Sequence, residues 1–220
     1  MTERDVVTVE GPDAASFLQG QLSQDVLALA AGDSALSFLL QPQGKIDALL
    51  RVTREADDRF VLDVDAGYGE AVAARLNRFK LRVKAEITVS SADLPAPWGE
   101  GSRIAAKWPA MGKELDGSTI PGETGLVDQA ASFTKGCYTG QELVARIDSR
   151  GGNVPRHLRL LELASDGVPE GAVVEAEGKE RGRITSVEGA AALAYVHREV
   201  TPPAAVVVRW DGGETTARVL

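Results

Sequence analysis

From Pro155 onward every apolar run is short, rich in β-branched residues and bounded by turn formers, and no helical spacing occurs. The runs cover 157–163, 172–177, 181–187, 191–197, 204–210 and 214–219, and Asp211-Gly212-Gly213 joins the last two. Asp-Gly between two such runs signals a tight hairpin, because the turn needs positive φ that glycine tolerates. A run with one apolar face cannot bury that face alone, so the segment 155–220 predicts a small β-barrel or sandwich without internal repeats.

The first ninety residues follow a different pattern. Val6-Val7-Thr8-Val9 reads as a strand, and Gly11-Pro12-Asp13 breaks it, with Asp13 offered as a helix cap. Leu18, Leu22, Val26 and Leu29 recur at helical spacing and predict one helix from Ala14 to about Leu29. Strands are expected over 35–40, 46–54 and 60–64. A second amphipathic helix carries Tyr68, Val72, Leu76 and Phe79, and a strand over 82–89 follows. The fold class is α+β: a mixed N-terminal lobe over 1–90, a connecting segment over 91–154, and the β-rich unit over 155–220. Pro95, Pro97, Pro109 and Pro121 mark residues 90–122 as a linker or irregular packed connection, and a short helix is expected over 141–149.

Composition narrows the function classes. The chain has 220 residues and a net charge of −8, which argues against general binding of a phosphate backbone, so direct contact with nucleic acid is not expected. Arg75, Arg78, Lys80, Arg82 and Lys84 form the one dense basic cluster, whose plain reading is a solvated face. A single cysteine permits no internal disulfide, and two histidines with one cysteine make no protein-only zinc site. No apolar run reaches the roughly 18 residues of a membrane helix and no secretory signal pattern opens the chain, so a cytoplasmic location without membrane contact is expected. No P-loop, Rossmann or nucleophile-elbow motif occurs.

Chemical character concentrates in 135–150. Gly136 and Gly140 allow a tight turn, and Gly140 stands just before the short helix, so Cys137 falls near that helix's N-terminus. The positive helix end and Lys135 would favour a thiolate. Tyr138 offers a ring and a hydroxyl, Gln141 donates and accepts, and Glu142 and Arg146 stand one turn apart where they can pair. The same spacing also fits a small buried cysteine beside a routine surface pair. Both descriptions stand on spacing alone.

The run Lys135-Gly136-Cys137-Tyr138-Thr139-Gly140-Gln141-Glu142 resembles the signature of the YgfZ family of folate-binding proteins, with Val144-Ala145-Arg146 and Arg150-Gly151 fitting downstream. Phe17-Leu18-Gln19-Gly20-Gln21 with Asp25, Gln43-Gly44-Lys45, Arg75-Leu76 with Phe79 and Arg82, Thr119-Ile120-Pro121, Ser132-Phe133 and Ala192-Leu193-Ala194-Tyr195-Val196 are similar to other family segments in order. That family shares its fold with the glycine-cleavage T-protein, so the resemblance implies a T-protein-like mixed lobe followed by a small barrel.

It also implies a factor that supports assembly or repair of iron–sulfur enzymes, including those that modify tRNA. Its partners would be those enzymes or assembly proteins, with a homo-oligomer open. On this reading Cys137 is the motif thiol, and Lys135, Tyr138, Gln141, Glu142, Arg146, Gln21, Asp25 and Asp47 are its ligand-binding neighbours. Tetrahydrofolate is the implied ligand. Two other readings accompany it, a tetrahydrofolate-dependent aminomethyl or one-carbon transferase and a non-catalytic interaction module; the balance leans away from an enzyme.

Three departures from the family pattern are visible. The middle lobe is reduced between Val89 and Arg103. Ala105 stands where a pterin-anchoring acid is usual, and Asp47 is followed by Ala48 rather than by a second acid.

Overall fold

The computed structural model describes residues 1–99 and 101–220. Glu100, inside the expected linker, lies outside the described residues. A five-stranded antiparallel sheet forms the N-terminal lobe. Its strands are β1 (Thr2–Glu10), β2 (Ser34–Leu40), β3 (Ile46–Ala56), β4 (Arg59–Asp65) and β5 (Glu86–Leu94), in the order β2-β3-β4-β1-β5. One face carries Val7, Val9, Ala48, Leu50, Val52, Phe60, Leu62 and Val64 at alternating positions. Helices α1 (Ala14–Gln21) and α2 (Gly69–Phe79) cover it with Phe17, Leu18, Val72, Ala73 and Leu76.

The opposite face is half apolar and half ionic. Phe38, Leu40, Ile46 and Leu49 meet Trp108, Leu115, Leu126, Ala130, Tyr138 and Val144 from the connecting segment. At the other end Arg4 Nε lies 3.0 Å from Asp63 Oδ1 and also pairs with Asp65, while Arg51 Nε lies 2.7 Å from Asp63 Oδ2. Arg51 donates to Pro95 O at 3.1 Å and Asp65 Oδ2 accepts from Met111 N at 2.8 Å. Charges buried under a loop persist only when paired; here they also tie the loop down. Of the two readings of this segment, linker or irregular packed connection, the packed one holds.

Two predicted boundaries differ from the structure. The helix expected to reach Leu29 stops at Gln21, because Leu22 turns extended and bridges Leu39, and only Val26–Ala28 resumes a single 3-10 turn. Ser23 Oγ accepts from Phe38 N at 2.8 Å and donates to Ala130 O at 2.5 Å, holding that crossing. Leu18, Leu22 and Val26 are all fully buried, so the spacing identified the core face but not the backbone conformation. The last strand of the lobe runs to Leu94 rather than from Arg82 to Val89, paired along β1. Asp13 gives α1 no side-chain cap; its carboxylate accepts from Lys84 N at 2.7 Å and holds the entry to β5.

Between Leu94 and Pro121 the described residues form turns and one bridge, Met111 to Leu115. Short helices α3 (Pro121–Thr124) and α4 (Val127–Ala130) precede α5 (Gln141–Asp148). The barrel follows: β6 (Arg156–Leu163), β7 (Val173–Ala176), β8 (Lys179–Glu188), β9 (Ala191–His197), β10 (Ala204–Trp210) and β11 (Gly213–Val219), closed in the order β10-β11-β6-β9-β8-β7. All six strands match the expected runs to within about two residues, the ordinary spread of strand ends.

The barrel meets the connecting segment through Ile104, Leu158, Leu193 and Tyr195. Glu114, fully buried, joins that seam: its carboxylate takes Arg103 at 2.9 Å and Ser186 Oγ at 2.6 Å, and Tyr195 Oη donates to its carbonyl at 2.9 Å. Arg156 pairs with Glu123 at 3.0 Å and stacks 4.2 Å from the Tyr195 ring.

Candidate functional site

The motif loop is built by alternating burial. Lys135 and Tyr138 point inward, 8% and 6% exposed, whereas Gly136 and Cys137 between them are exposed. Lys135 Nζ donates to three backbone carbonyls, of Gln19 at 2.7 Å, Leu22 at 2.8 Å and Gln24 at 2.8 Å. These are carbonyls at the end of α1 and in the extended crossing after it, which the helix itself leaves without partners. Ser132 N donates to Ser23 O and Thr139 N to Gly20 O, so the loop is pinned on both sides of the thiol. All three ammonium protons are committed to the backbone. Lys135 thus positions the loop, and no donor remains for the ligand contact expected of it.

Burial pushes the Lys135 ammonium down to about 8, with the nearby charge of Asp25 opposing. The Tyr138 ring lies 5.2 Å below that ammonium, its hydroxyl makes no hydrogen bond among the described residues, and burial holds its pKa up to about 12.

The exit of the loop is shaped by glycine. Gly140 takes φ +81°, and a Cβ there would meet Gln41 O at 2.5 Å and Leu40 Cβ at 2.8 Å. Across the contact, a Cβ on Gly44 would fall 2.4 Å from Leu143 Cβ. The Gln41–Lys45 turn, closed by Gln41 N to Lys45 O, and the start of α5 therefore touch backbone to backbone. Val144 anchors α5 in the core; Glu142 and Arg146 are exposed and form no ion pair with each other, contrary to the expected pairing. Gln141 is half-buried and its N–H donates to Tyr138 O.

Beside that turn opens a cleft of about 550 Å³ between α2 and residues 41–47, lined by Gln41, Gln43, Asp47, Arg75, Arg78 and Phe79. Arg75 organises it. Its guanidinium donates to Asp47 Oδ2 at 3.0 Å, Gln21 Oε1 at 3.3 Å and Leu40 O at 2.8 Å, and lies 3.9 Å from the Phe79 ring centre. Desolvation lowers the Arg75 pKa against the pull of Asp47.

Two of the expected residues, Gln21 and Asp47, are thus gathered by an arginine that the sequence marked as part of a basic cluster and of a family-like segment but not as a site residue. Asp25 lies apart from the cleft, accepting from Gln19 Nε2 at 2.9 Å near Lys135. The Arg75–Phe79 spacing of one helical turn was the available signal for Arg75. Glu114 and its seam had no signal, since two of its partners, Ser186 and Tyr195, lie 72 and 81 residues away and the third, Arg103, belongs to an irregular stretch.

No family model matches the chain. An uncharacterized protein of Haemophilus influenzae is 31% identical over 193 residues, covering 70% of this chain and 69% of that one. The tRNA-modifying protein YgfZ of Edwardsiella ictaluri is 27% identical, over 67% of this chain and 65% of its own length. The mitochondrial iron-sulfur cluster assembly factor IBA57 homolog of Mycosarcoma maydis is 28% identical, over 67% and 53%. The chain therefore spans between about half and two thirds of these relatives. Among solved structures, the glycine cleavage system aminomethyltransferase T of Bartonella henselae superposes with a TM-score of 0.85 at 18% identity, covering 98% of this chain and 82% of that one. The lobe-and-barrel fold is that of the T-protein.

Proposed function

We propose a function on one premise: the chain belongs to the YgfZ family. The protein supports the assembly or repair of iron–sulfur enzymes, among them enzymes that modify tRNA, and Cys137 is its working group. The names borne by the relatives, a tRNA-modifying protein and an iron–sulfur cluster assembly factor, support this role. The observation that carries the Cys137 part is the alternation of burial: an exposed thiol held between a lysine and a tyrosine that are both inside. A thiolate is a nucleophile and a soft metal ligand, and one presented on a pinned loop can meet a partner's surface. Clusters typically take about four protein ligands, so Cys137 acts with groups supplied by a partner.

The residues present do not fit a pterin, which needs a carboxylate for its amino and ring N–H groups. Ala105 is exposed and carries no acid. Glu114 is sealed behind Arg103 and Ser186, and Asp47 is held by Arg75. No step of this reading passes through folate, and Asp47 is already engaged where an aminomethyl transfer would need a free acid. Calorimetry with tetrahydrofolate at high micromolar concentration is expected to show no heat.

The deciding experiment is rescue of a deletion strain, read by the activity of its iron–sulfur enzymes. Wild type restores activity and Cys137→Ala does not. Equal rescue by both would remove Cys137 from the mechanism.

A further inference from the structure

The net charge of −8 hides a strong local asymmetry. Between residues 71 and 85 there are five cations, Arg75, Arg78, Lys80, Arg82 and Lys84, and no acid; setting those five aside leaves −13 on the remainder. Arg75 is committed to Asp47, and Lys80 Nζ donates to Ala85 O at 2.7 Å. Arg78, Arg82 and Lys84 are exposed and form no ion pair among the described residues, while Asp13, whose carboxylate accepts from Lys84 N at 2.7 Å, and Glu86 bound the patch on the β5 side.

Two apolar side chains stand among these free cations at the corner between α2 and β5. Phe79 is 36% exposed and Leu81 is 81% exposed. Adjacent exposed apolar groups ringed by charge are the anatomy of a protein contact: an apolar centre excludes water and a polar rim sets register. Arg82 takes φ +59°, which folds the chain sharply just after Leu81.

We infer that this corner docks an acidic, apolar-centred surface of a partner protein, the iron–sulfur enzyme or assembly protein on which Cys137 acts; the identity of the partner rests on the function proposed above. Charge complementarity favours the pairing, since this is a cationic patch on a chain of net charge −8. The position favours it as well. Arg78 and Phe79 form one lip of the 550 Å³ cleft, and Gln41 lines the other while its carbonyl packs against Gly140 of the motif loop. A partner seated on Phe79 and Leu81 therefore stands across the cleft from the turn that packs on the motif loop. RNA is the weaker occupant: the most exposed member of the patch is an aliphatic side chain that offers no stacking face, and the acidic remainder repels a phosphate chain.

The test uses the full chain in the deletion strain, with Leu81→Ser and with the triple variant Arg78→Glu, Arg82→Glu, Lys84→Glu, alongside Cys137→Ala. Both surface variants are expected to keep the wild-type melting temperature and to lose at least tenfold in restored iron–sulfur enzyme activity. Leu81→Ser alters one side chain that is almost fully in water, so it stays informative if the triple variant melts early. Wild-type rescue by Leu81→Ser overturns the docking corner, whatever Cys137→Ala does. Loss of rescue by the surface variants supports the corner even if Cys137→Ala rescues, an outcome that would instead overturn the role of the thiol. Anisotropy with labelled bulk tRNA separates the remaining alternative: binding that the triple variant abolishes and Leu81→Ser leaves unchanged would overturn a protein partner in favour of RNA.

Discussion

Replacing Lys135 by methionine keeps the stem of the side chain and removes its charge, and this isolates the clamp that presents the thiol. The ammonium donates to Gln19 O, Leu22 O and Gln24 O within 2.8 Å. Hydrogen bonds to a charged group contribute about 1.5–3 kcal/mol each. Three bonds on one ammonium do not add, because its desolvation opposes them and solvent can reach Gln24 O once the clamp is gone. A net loss of about 3 kcal/mol is expected, roughly 6–12 °C in melting temperature for a chain of this size. Urea unfolding at pH 7 measures it.

The sign of the pH dependence follows from the lowered pKa. Between about 8 and 10.5 the unfolded chain holds the lysine proton and the folded one releases it, so this group's contribution to stability rises with pH. The deficit of Lys135→Met is therefore larger at pH 9.5 than at pH 7. Hydrogen exchange should open at Thr139 N and Ser132 N, which the clamp holds against Gly20 and Ser23. A loss below about 0.5 kcal/mol, within the ordinary range of surface substitutions, would refute the clamp.

Further outcomes follow from single contacts. Tyr138→Phe removes a buried hydroxyl that has no partner, and should stabilise the fold by about 1 kcal/mol at pH 7. Because the folded Tyr138 keeps its proton to about 12 while the unfolded one ionises near 10, stability falls less steeply above pH 10 in the variant, which retains only the buried Tyr195, than in the wild type, and alkaline urea melts read the difference. Arg75→Lys cannot reach Asp47, Gln21 and Leu40 O from one point charge, and should cost about 2 kcal/mol in chemical denaturation. Glu114→Gln leaves Arg103 without its counter-charge in the seam and should cost about 3 kcal/mol in the same assay.

The barrel was legible almost strand by strand, because its alternation is local and its turns carry their own residues, as at Asp211-Gly212-Gly213. The first lobe was legible in its faces more than in its backbone. Leu18, Leu22 and Val26 are buried as their spacing required, yet Leu22 is extended, since a bridge to Leu39 outweighs continuing a short helix. Of the two readings of the proline-rich stretch, a linker or an irregular packed connection, the second holds, because proline and glycine report the absence of regular structure and not the absence of packing; Trp108 and Leu115 are core residues.

In the candidate site, the motif marked a segment but not the direction of each side chain. Lys135 looked like a partner for the thiol and is a buried clamp, a role that depends on carbonyls more than 110 residues away. The Arg75 hub and the Glu114 seam are likewise long-range pairings that no local pattern encodes.

The presentation of Cys137 is measured most directly by its alkylation rate in the folded protein at pH 7, set against the same thiol in urea. An exposed thiol on a pinned loop should react within about tenfold of the unfolded reference. Protection by a thousandfold or more, relieved only on global unfolding, would contradict the account.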